Sequence, residues 1–289
     1  MKNNFFQDRQ IKRRLRNYLP SLPGDLLKLA VILLFLFPFY WMFITSFKNY
    51  SESISFPPSI WPKNFTWDNY DRIFNGMDIN LWNYAKNSVV ITGTIIIFQL
   101  IIMVPAAYAF GKFNFFGKGM LFGLVLIAFM IPNQITFISV YLTMSDWGLM
   151  RTLWPQILPF AANAFGIFLL RQGFMQVPDE IIECAKLDGA SEMKIMLRIL
   201  LPMTTSSLIT IALFSFVAHW NAYFWPLVMT NSEEVRPLTM AIEKIKSNEM
   251  GIQWNTIMAA NVILVIPVLV IYLFASKRII RAFAYKGMK

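Results

Sequence analysis

The chain holds one cysteine, Cys184, and one histidine, His219. A lone thiol closes no internal disulfide, so no covalent framework supports the fold and nothing calls for an oxidising compartment. One imidazole and one thiol, with no acid near either inside an apolar run, make no metal cage and no activated nucleophile. No G-x-x-x-x-G-K-[ST] stretch occurs, which excludes a P-loop ATPase. Internal repeats and low-complexity tracts are absent. Charge is scarce as well: Asp, Glu, Lys and Arg make up 15% of the 289 residues.

Apolar residues take their place. They form 56% of the chain, with 27 Phe and a mean hydropathy of +0.50, values that a soluble domain of this length does not carry. Six runs, at 26–47, 88–111, 120–142, 153–170, 204–229 and 256–276, are each long enough to cross about 30 Å of hydrocarbon as helix. The expected fold class is therefore all-α, a polytopic membrane protein with six transmembrane helices. All 16 Asp and Glu fall outside the runs. If the N-terminus is cytoplasmic, the inner segments hold 18 of the 26 Lys and Arg against seven acids, and the outer segments hold eight against nine. The whole excess of +10 then lies inside, as the positive-inside rule requires, with both termini cytoplasmic. KRRLR at 12–16 is a topology signal on this reading, not a nucleic-acid patch. The first run, with Pro38, Tyr40 and Trp41 inside and no Ala-x-Ala-like end, is too long and bulky for a cleaved signal and is a retained span.

Three connections are long. Residues 48–87, expected outside, contain FPPSIWPKNFTWDNYDRIF, where prolines favour extended backbone and Thr66 is placed to cap a short helix ending near Gly76. Residues 230–255, also outside, carry both charge signs. Residues 171–203 face inward. The expected organisation is a basic cytoplasmic tail at 1–25, a first helix with its external loop at 26–83, and a core of five helices at 84–289 that includes a charged loop at 178–202. Prolines recur inside the runs, at Pro38, Pro105, Pro132, Pro155, Pro159, Pro226 and Pro267; such breaks serve equally as ordinary kinks or as borders of a solute path.

The inner loop carries ECAKLDGASEMKIMLRILLP at 183–202. Helical spacing puts Glu180, Glu183 and Lys186 on one side of a helix starting at Pro178, with Ile181, Ile182, Ala185 and Leu187 apolar elsewhere. Gly189 suits the left-handed position that ends it. Ser191 caps a second helix, apolar at Met193, Met196, Leu197 and Leu200, that runs through Pro202 into the fifth span. Two short angled helices with apolar surface call for a partner.

Glu183-Cys184-Ala185, three residues, Gly189, nine residues, then Ile199-x-Leu201-Pro202 resembles the EAA-x3-G-x9-I-x-L-P signature of permease subunits of binding-protein-dependent ABC importers. Cys184 stands where the family has a second small residue. TSFK (45–48), PPSIWPKNFTWDNY (57–70), NSVVITGT (87–94), PAAYAFGKF (105–113), MIPNQ (130–134), FLLRQGF (168–174), WNAYFWPLV (220–228) and MAAN (258–261) look like its carbohydrate-type, maltose-permease-like branch, in the same order. The terminal YKGMK departs from the Gly-Val-Lys-Gly-like tail common there. The resemblance implies that the two short helices are coupling helices docking into a separate ATPase through Glu183, Cys184, Ala185, Asp188, Gly189 and Ala190, with Ile199, Leu201 and Pro202 joining them to the fifth span. It further implies a second permease chain, different from this one, two ATPase subunits that bind the ATP and Mg, and an extracellular solute-binding protein met by the outer loops. No catalytic residue, metal or cofactor is expected in this chain.

The runs hold neutral polar and aromatic groups instead of ions. Asn133, Gln134, Asn163, His219, Trp220, Asn221 and Tyr223 are the candidate lining of a solute path, a set suited to an uncharged polyhydroxyl compound such as a sugar or oligosaccharide; each competes with a role in helix–helix hydrogen bonding. Within the same importer class, glycerol phosphate or a polyol is the alternative solute. An ion-coupled carrier, the alternative from another class, normally needs an intramembrane carboxylate or similar relay, and the runs have none.

Overall fold

Apolar segments without water to satisfy their amides must close their hydrogen bonds internally, and here they do so as helix; among the described residues there is no strand. The computed structural model describes residues 22–76, 79–246 and 252–284; KRRLR at 12–16 and the terminal YKGMK lie outside them. The chain divides into two compact units, one drawn from residues up to Arg72 with Ile252–Val262, the other from Ile73–Gly251 with the residues from Ile263 onward.

In the first unit, α1 (Leu22–Thr45) exposes most of its side chains, as suits a helix solvated by lipid. A single turn, Tyr50–Ser53, follows, with Asn49 accepting the Glu52 amide at 2.8 Å. The chain then folds back before α2 (Asp68–Asn75), where Thr66 Oγ1 accepts the Asp68 amide at 3.1 Å, the cap expected from sequence. Buried polar groups hold this unit together. Asn69 Nδ2 donates to the carbonyls of Ser46 and Lys48, both at 2.8 Å, and its Oδ1 accepts from Asn255. The ammonium of Lys48 lies 4.5 Å from the ring centre of Trp41; burial pushes its pKa below the usual lysine value, against the opposing charge of Glu52.

The second unit is built around α3 (Leu81–Lys112), 32 residues that pass Pro105 without interruption. After it come α4 (Lys118–Met130) and α5 (Asn133–Asp146), and then a short turn, Trp154–Ile157, that tightens through Leu158–Phe160 before α6 (Ala164–Met175). Next are α7 (Asp179–Leu187), α8 (Glu192–Met203, with wider π winding over Met196–Leu200), α9 (Thr205–Trp220), α10 (Phe224–Met229) and α11 (Leu238–Lys246). The last helix, α12 (Trp254–Ala284), supplies its first turns to the first unit and the rest to the second. The segment before α11 is fixed to α3: Asn87 Nδ2 donates to the carbonyls of Glu234 (2.7 Å) and Arg236 (3.0 Å), and Ser88 Oγ accepts the Leu238 amide at 2.7 Å.

Among the described residues four spans have the length and hydropathy to cross a membrane, the fourth with an irregular stretch before Ala164, but the third and fifth differ from the straight runs expected. The helices α4 and α5 meet at 94°, and α8 and α9 at 80°. Pro132 explains the first bend: it has no amide to continue the ladder, and the residue before it, Ile131, is held extended (φ −78°, ψ 116°). At the second, Thr204 leaves helical geometry (φ −109°, ψ 20°) while its hydroxyl satisfies the Leu200 carbonyl at 2.9 Å. The fifth run breaks again at Asn221, between α9 and α10.

Close approach of α3, α6 and α9 depends on Gly166, where an added Cβ would lie 2.8 Å from Met103 Sδ and 3.3 Å from an Ile211 methyl. Gly166→Val therefore overpacks this contact and is expected to cost about 1–3 kcal/mol, read as a lowered melting temperature of the detergent-purified protein. Gly123→Ala, where no atom lies within 4 Å, is the control expected to leave it unchanged.

Candidate functional site

Two features of the second unit concentrate the residues singled out by sequence. One is an elbow formed by α7 and α8. Asp179 and Glu180 occupy the first turn of α7, favourable to the helix dipole. The helix ends in a Schellman arrangement: Gly189, at φ +73°, donates to the Lys186 carbonyl (3.0 Å), and Ala190 donates to the Ala185 carbonyl (2.9 Å). Ser191 Oγ then caps α8 by accepting the Lys194 amide.

One face of the elbow is bonded to the rest of the unit. Ile182, Ala185, Ile195, Met196 and Leu200 are buried against Val104, Ala107 and Tyr108 of α3 and Leu170 and Phe174 of α6, with Ala190, Ile199 and Leu201 packed at the edge. Polar ties frame this cluster. Lys112, at the end of α3, donates to the Val177 carbonyl (2.7 Å) and to Asp179 (2.6 Å). The Tyr108 hydroxyl donates to Glu192, which also pairs with Lys186 at 2.8 Å, so one carboxylate joins α3, α7 and α8. Tyr108, Lys112, Asp179 and Lys186 border an open groove of about 400 Å³. The other face is free in this chain: Glu183, Cys184, Asp188 and Gly189 are exposed, beside Leu187, Met193 and Leu197; Pro202 is also exposed. Of the residues that the resemblance assigns to docking, Ala185 is buried and Ala190 packs at the edge of the cluster.

The second feature is a cleft of about 790 Å³ at the helix breaks. Its walls come from the α4–α5 bend (Asn133, Gln134), the irregular start of the fourth span (Phe160, Asn163) and α9 (Ser215, His219). Tyr223 joins Asn133, Gln134 and His219 around an adjoining recess of about 270 Å³. Five of the seven sequence candidates thus share one surface. Trp220 does not: it is buried, stacks on Phe216 and donates its Nε1–H to the Leu264 carbonyl at 2.9 Å. Nor does Asn221 line either space; its amide donates to the Val217 carbonyl of its own helix. Asn163 has a structural duty as well, accepting the Gly166 amide at 2.8 Å as the cap of α6.

Sequence reasoning missed Gln99, although it is the one amide side chain in the run 88–111. It reaches across the cleft wall, donating to the Phe160 carbonyl at 2.9 Å and accepting from Asn163 at 3.4 Å. Ser215 Oγ is buried at the cleft with no protein partner. No Asp, Glu, Lys or Arg lines either space, and among the described residues no group of His, Cys, Asp or Glu is placed to hold a metal.

Residues 103–285, which contain the elbow and the cleft-lining part of α9, match the model of the binding-protein-dependent transport system inner membrane component family. The chain belongs to that family. The permease is 31% identical over 254 residues to a putative ABC transporter permease protein, ORF2, of Caldicellulosiruptor sp. (strain Rt8B.4), covering 87% of this chain and 91% of that one. It is 27% identical over 263 residues to the sn-glycerol-3-phosphate transport system permease protein UgpE of Brucella abortus (strain 2308), covering 89% and 93%. Its fold matches a chain from the crystal structure of a bacterial ABC transporter involved in the import of the acidic polysaccharide alginate (TM-score 0.80, 24% identity, 91% and 97% covered). It is thus a multi-pass membrane protein and a transport permease subunit.

Removing only the hydroxyl, in Tyr108→Phe, is expected to weaken the tie between the permease's α3 and elbow by about 1–2 kcal/mol. Amide hydrogen exchange over α7 and α8 should rise about 5- to 30-fold on the same scale, while exchange in α11 stays unchanged.

Proposed function

We propose that this permease carries a sugar or oligosaccharide through the membrane by alternating access, energised by two separate ATPase subunits and supplied by an extracellular solute-binding protein. A second permease chain completes the path, and ATP and Mg reside on the ATPases. The elbow, with its exposed Glu183, Cys184, Asp188 and Gly189 and apolar Leu187, Met193 and Leu197, is the surface offered to an ATPase. Glu183 and Asp188 supply acceptors to basic groups of that partner. The bend at Gly189 keeps the two helices at a fixed angle, so ATPase closure displaces them together. The charge distribution supports a cytoplasmic side for the elbow and both termini.

The observation that carries the choice of solute is the chemistry of the cleft. It presents Asn133, Gln134, Asn163, Ser215 and Tyr223 beside the rings of Phe129, Phe160 and Phe165, with no charged side chain. Amides and hydroxyls exchange hydrogen bonds with a solute's hydroxyls while aromatic faces meet its C–H surfaces. A glycerol phosphate is the second reading, favoured by the similarity to UgpE; it requires the phosphate's counter-charges to come from the second permease.

In vesicles containing the assembled transporter, uptake of a labelled oligosaccharide should require ATP on the elbow side and persist when ion gradients are collapsed. Uptake driven by an ion gradient without ATP overturns the reading. Gly189→Leu forces a side chain into left-handed backbone and is expected to cut both ATPase co-purification and uptake at least tenfold, with Gly189→Asn, which tolerates that geometry, retaining more of each. Full assembly and uptake in Gly189→Leu contradict the docking role.

A further inference from the structure

Residues 54–63 of the first unit take no part in the elbow or the cleft, yet they are firmly held. Lys48 Nζ donates to the Ser59 carbonyl at 2.5 Å, and the Tyr40 hydroxyl donates to the Ile60 carbonyl at 2.8 Å. Glu52 Oε1 accepts from the Ser59 hydroxyl (2.6 Å) and the Lys63 amide (2.9 Å). This anchored segment turns large apolar side chains outward: Phe56 is 96% exposed, Ile60 71% and Trp61 67%. A fixed apolar surface of this kind needs a cover.

Its position relative to α1 says what the cover is. Tyr40 lies five residues before the end of the helix at Thr45, so its bond to Ile60 holds the segment beside the last two turns. A helix of 24 residues is about 36 Å long and exceeds a hydrocarbon core of about 30 Å by about 6 Å, so the last turn reaches the boundary between acyl chains and headgroups. The segment is therefore continuous with the lipid-facing surface of α1. Its composition fits that depth. Tryptophan favours the membrane interface, and Pro57 and Pro58 bring no amide N–H that would need a partner away from bulk water. Lys63, at the end of the segment, is exposed and carries a charge of the kind that pairs with lipid phosphate.

We propose that the segment 54–61 is a membrane-interface anchor, which inserts Phe56, Ile60 and Trp61 into the headgroup–acyl boundary of the leaflet where α1 ends. It fixes the depth of that helix end, and its occupant is lipid, leaving the rest of the loop to meet soluble partners. The proposal needs α1 to cross the membrane but not the importer reading, so the two stand or fall separately.

The test is spin labelling of the assembled transporter in lipid nanodiscs, with Cys184→Ala removing the native thiol and Phe56→Cys or Trp61→Cys carrying the label. Both sites should show an oxygen-to-nickel-chelate accessibility ratio several-fold above that of a label at Asp68→Cys on the exposed start of α2. Ratios equal to the Asp68 label mean an aqueous surface and overturn the proposal. Labels immobilised and shielded from both reagents mean a protein cover, a binding protein or the second permease, and overturn it equally. Ile60→Cys serves if either variant fails to assemble.

Discussion

The elbow is useful as a mechanical part because its inner face is packed into the bundle. Ile195 and Leu200 are fully buried, as are Ala107, Leu170 and Phe174 facing them, so α7 and α8 share one interior with α3, α6 and α9. A close-packed interior does not absorb displacement; it transmits it. Without this cluster the same exposed residues would sit on a pliable loop, and a force at Leu187 or Met193 would be lost in local rearrangement. The polar ties at Lys112, Tyr108 and Glu192 add direction to the packing, because each joins α3 to the elbow through a specific donor and acceptor.

The cleft depends on the opposite property, the interruption of regular structure. Helix breaks at Pro132, Asn163 and Asn221 free backbone groups that a continuous span would have consumed, and the chain answers with its own amides. Gln99 bonds to the Phe160 carbonyl and Asn163 caps α6, so the wall is irregular but satisfied. The spine α3 connects the two regimes: Gln99 belongs to the cleft wall, and Tyr108 and Lys112, nine and thirteen residues further on, hold the elbow. A displacement of the elbow is in this way placed on the same rigid helix that borders the cleft.

Much of this was legible in the sequence because it rests on local rules. Run length gave the spans, and the Pro178, Gly189 and Ser191 punctuation gave the elbow with its left-handed glycine. Five of the candidates from the third, fourth and fifth runs, Asn133, Gln134, Asn163, His219 and Tyr223, did gather on one surface. What was not legible depends on tertiary placement. A proline in an apolar run either sits inside a continuous helix, as in α3 and α12, or makes the 94° turn at Pro132, and nothing local distinguishes them. Trp220 and Asn221 stand next to His219, but a helix sends neighbours about 100° apart, and these two turn to Leu264 and to their own helix. The Tyr108–Glu192 tie spans 84 residues and leaves no periodic trace.

The account stands on the outer face of the elbow being gripped by a separate nucleotide-hydrolysing protein, and Cys184 sits on that face, exposed and alone. Thiol cross-linking from Cys184 in native membranes, followed by identification of the captured protein, measures this directly. The account predicts capture of a P-loop ATPase, with a yield that changes when ATP is added. Capture of no nucleotide-binding protein, or labelling of Cys184 by an impermeant reagent from outside intact cells, would contradict it.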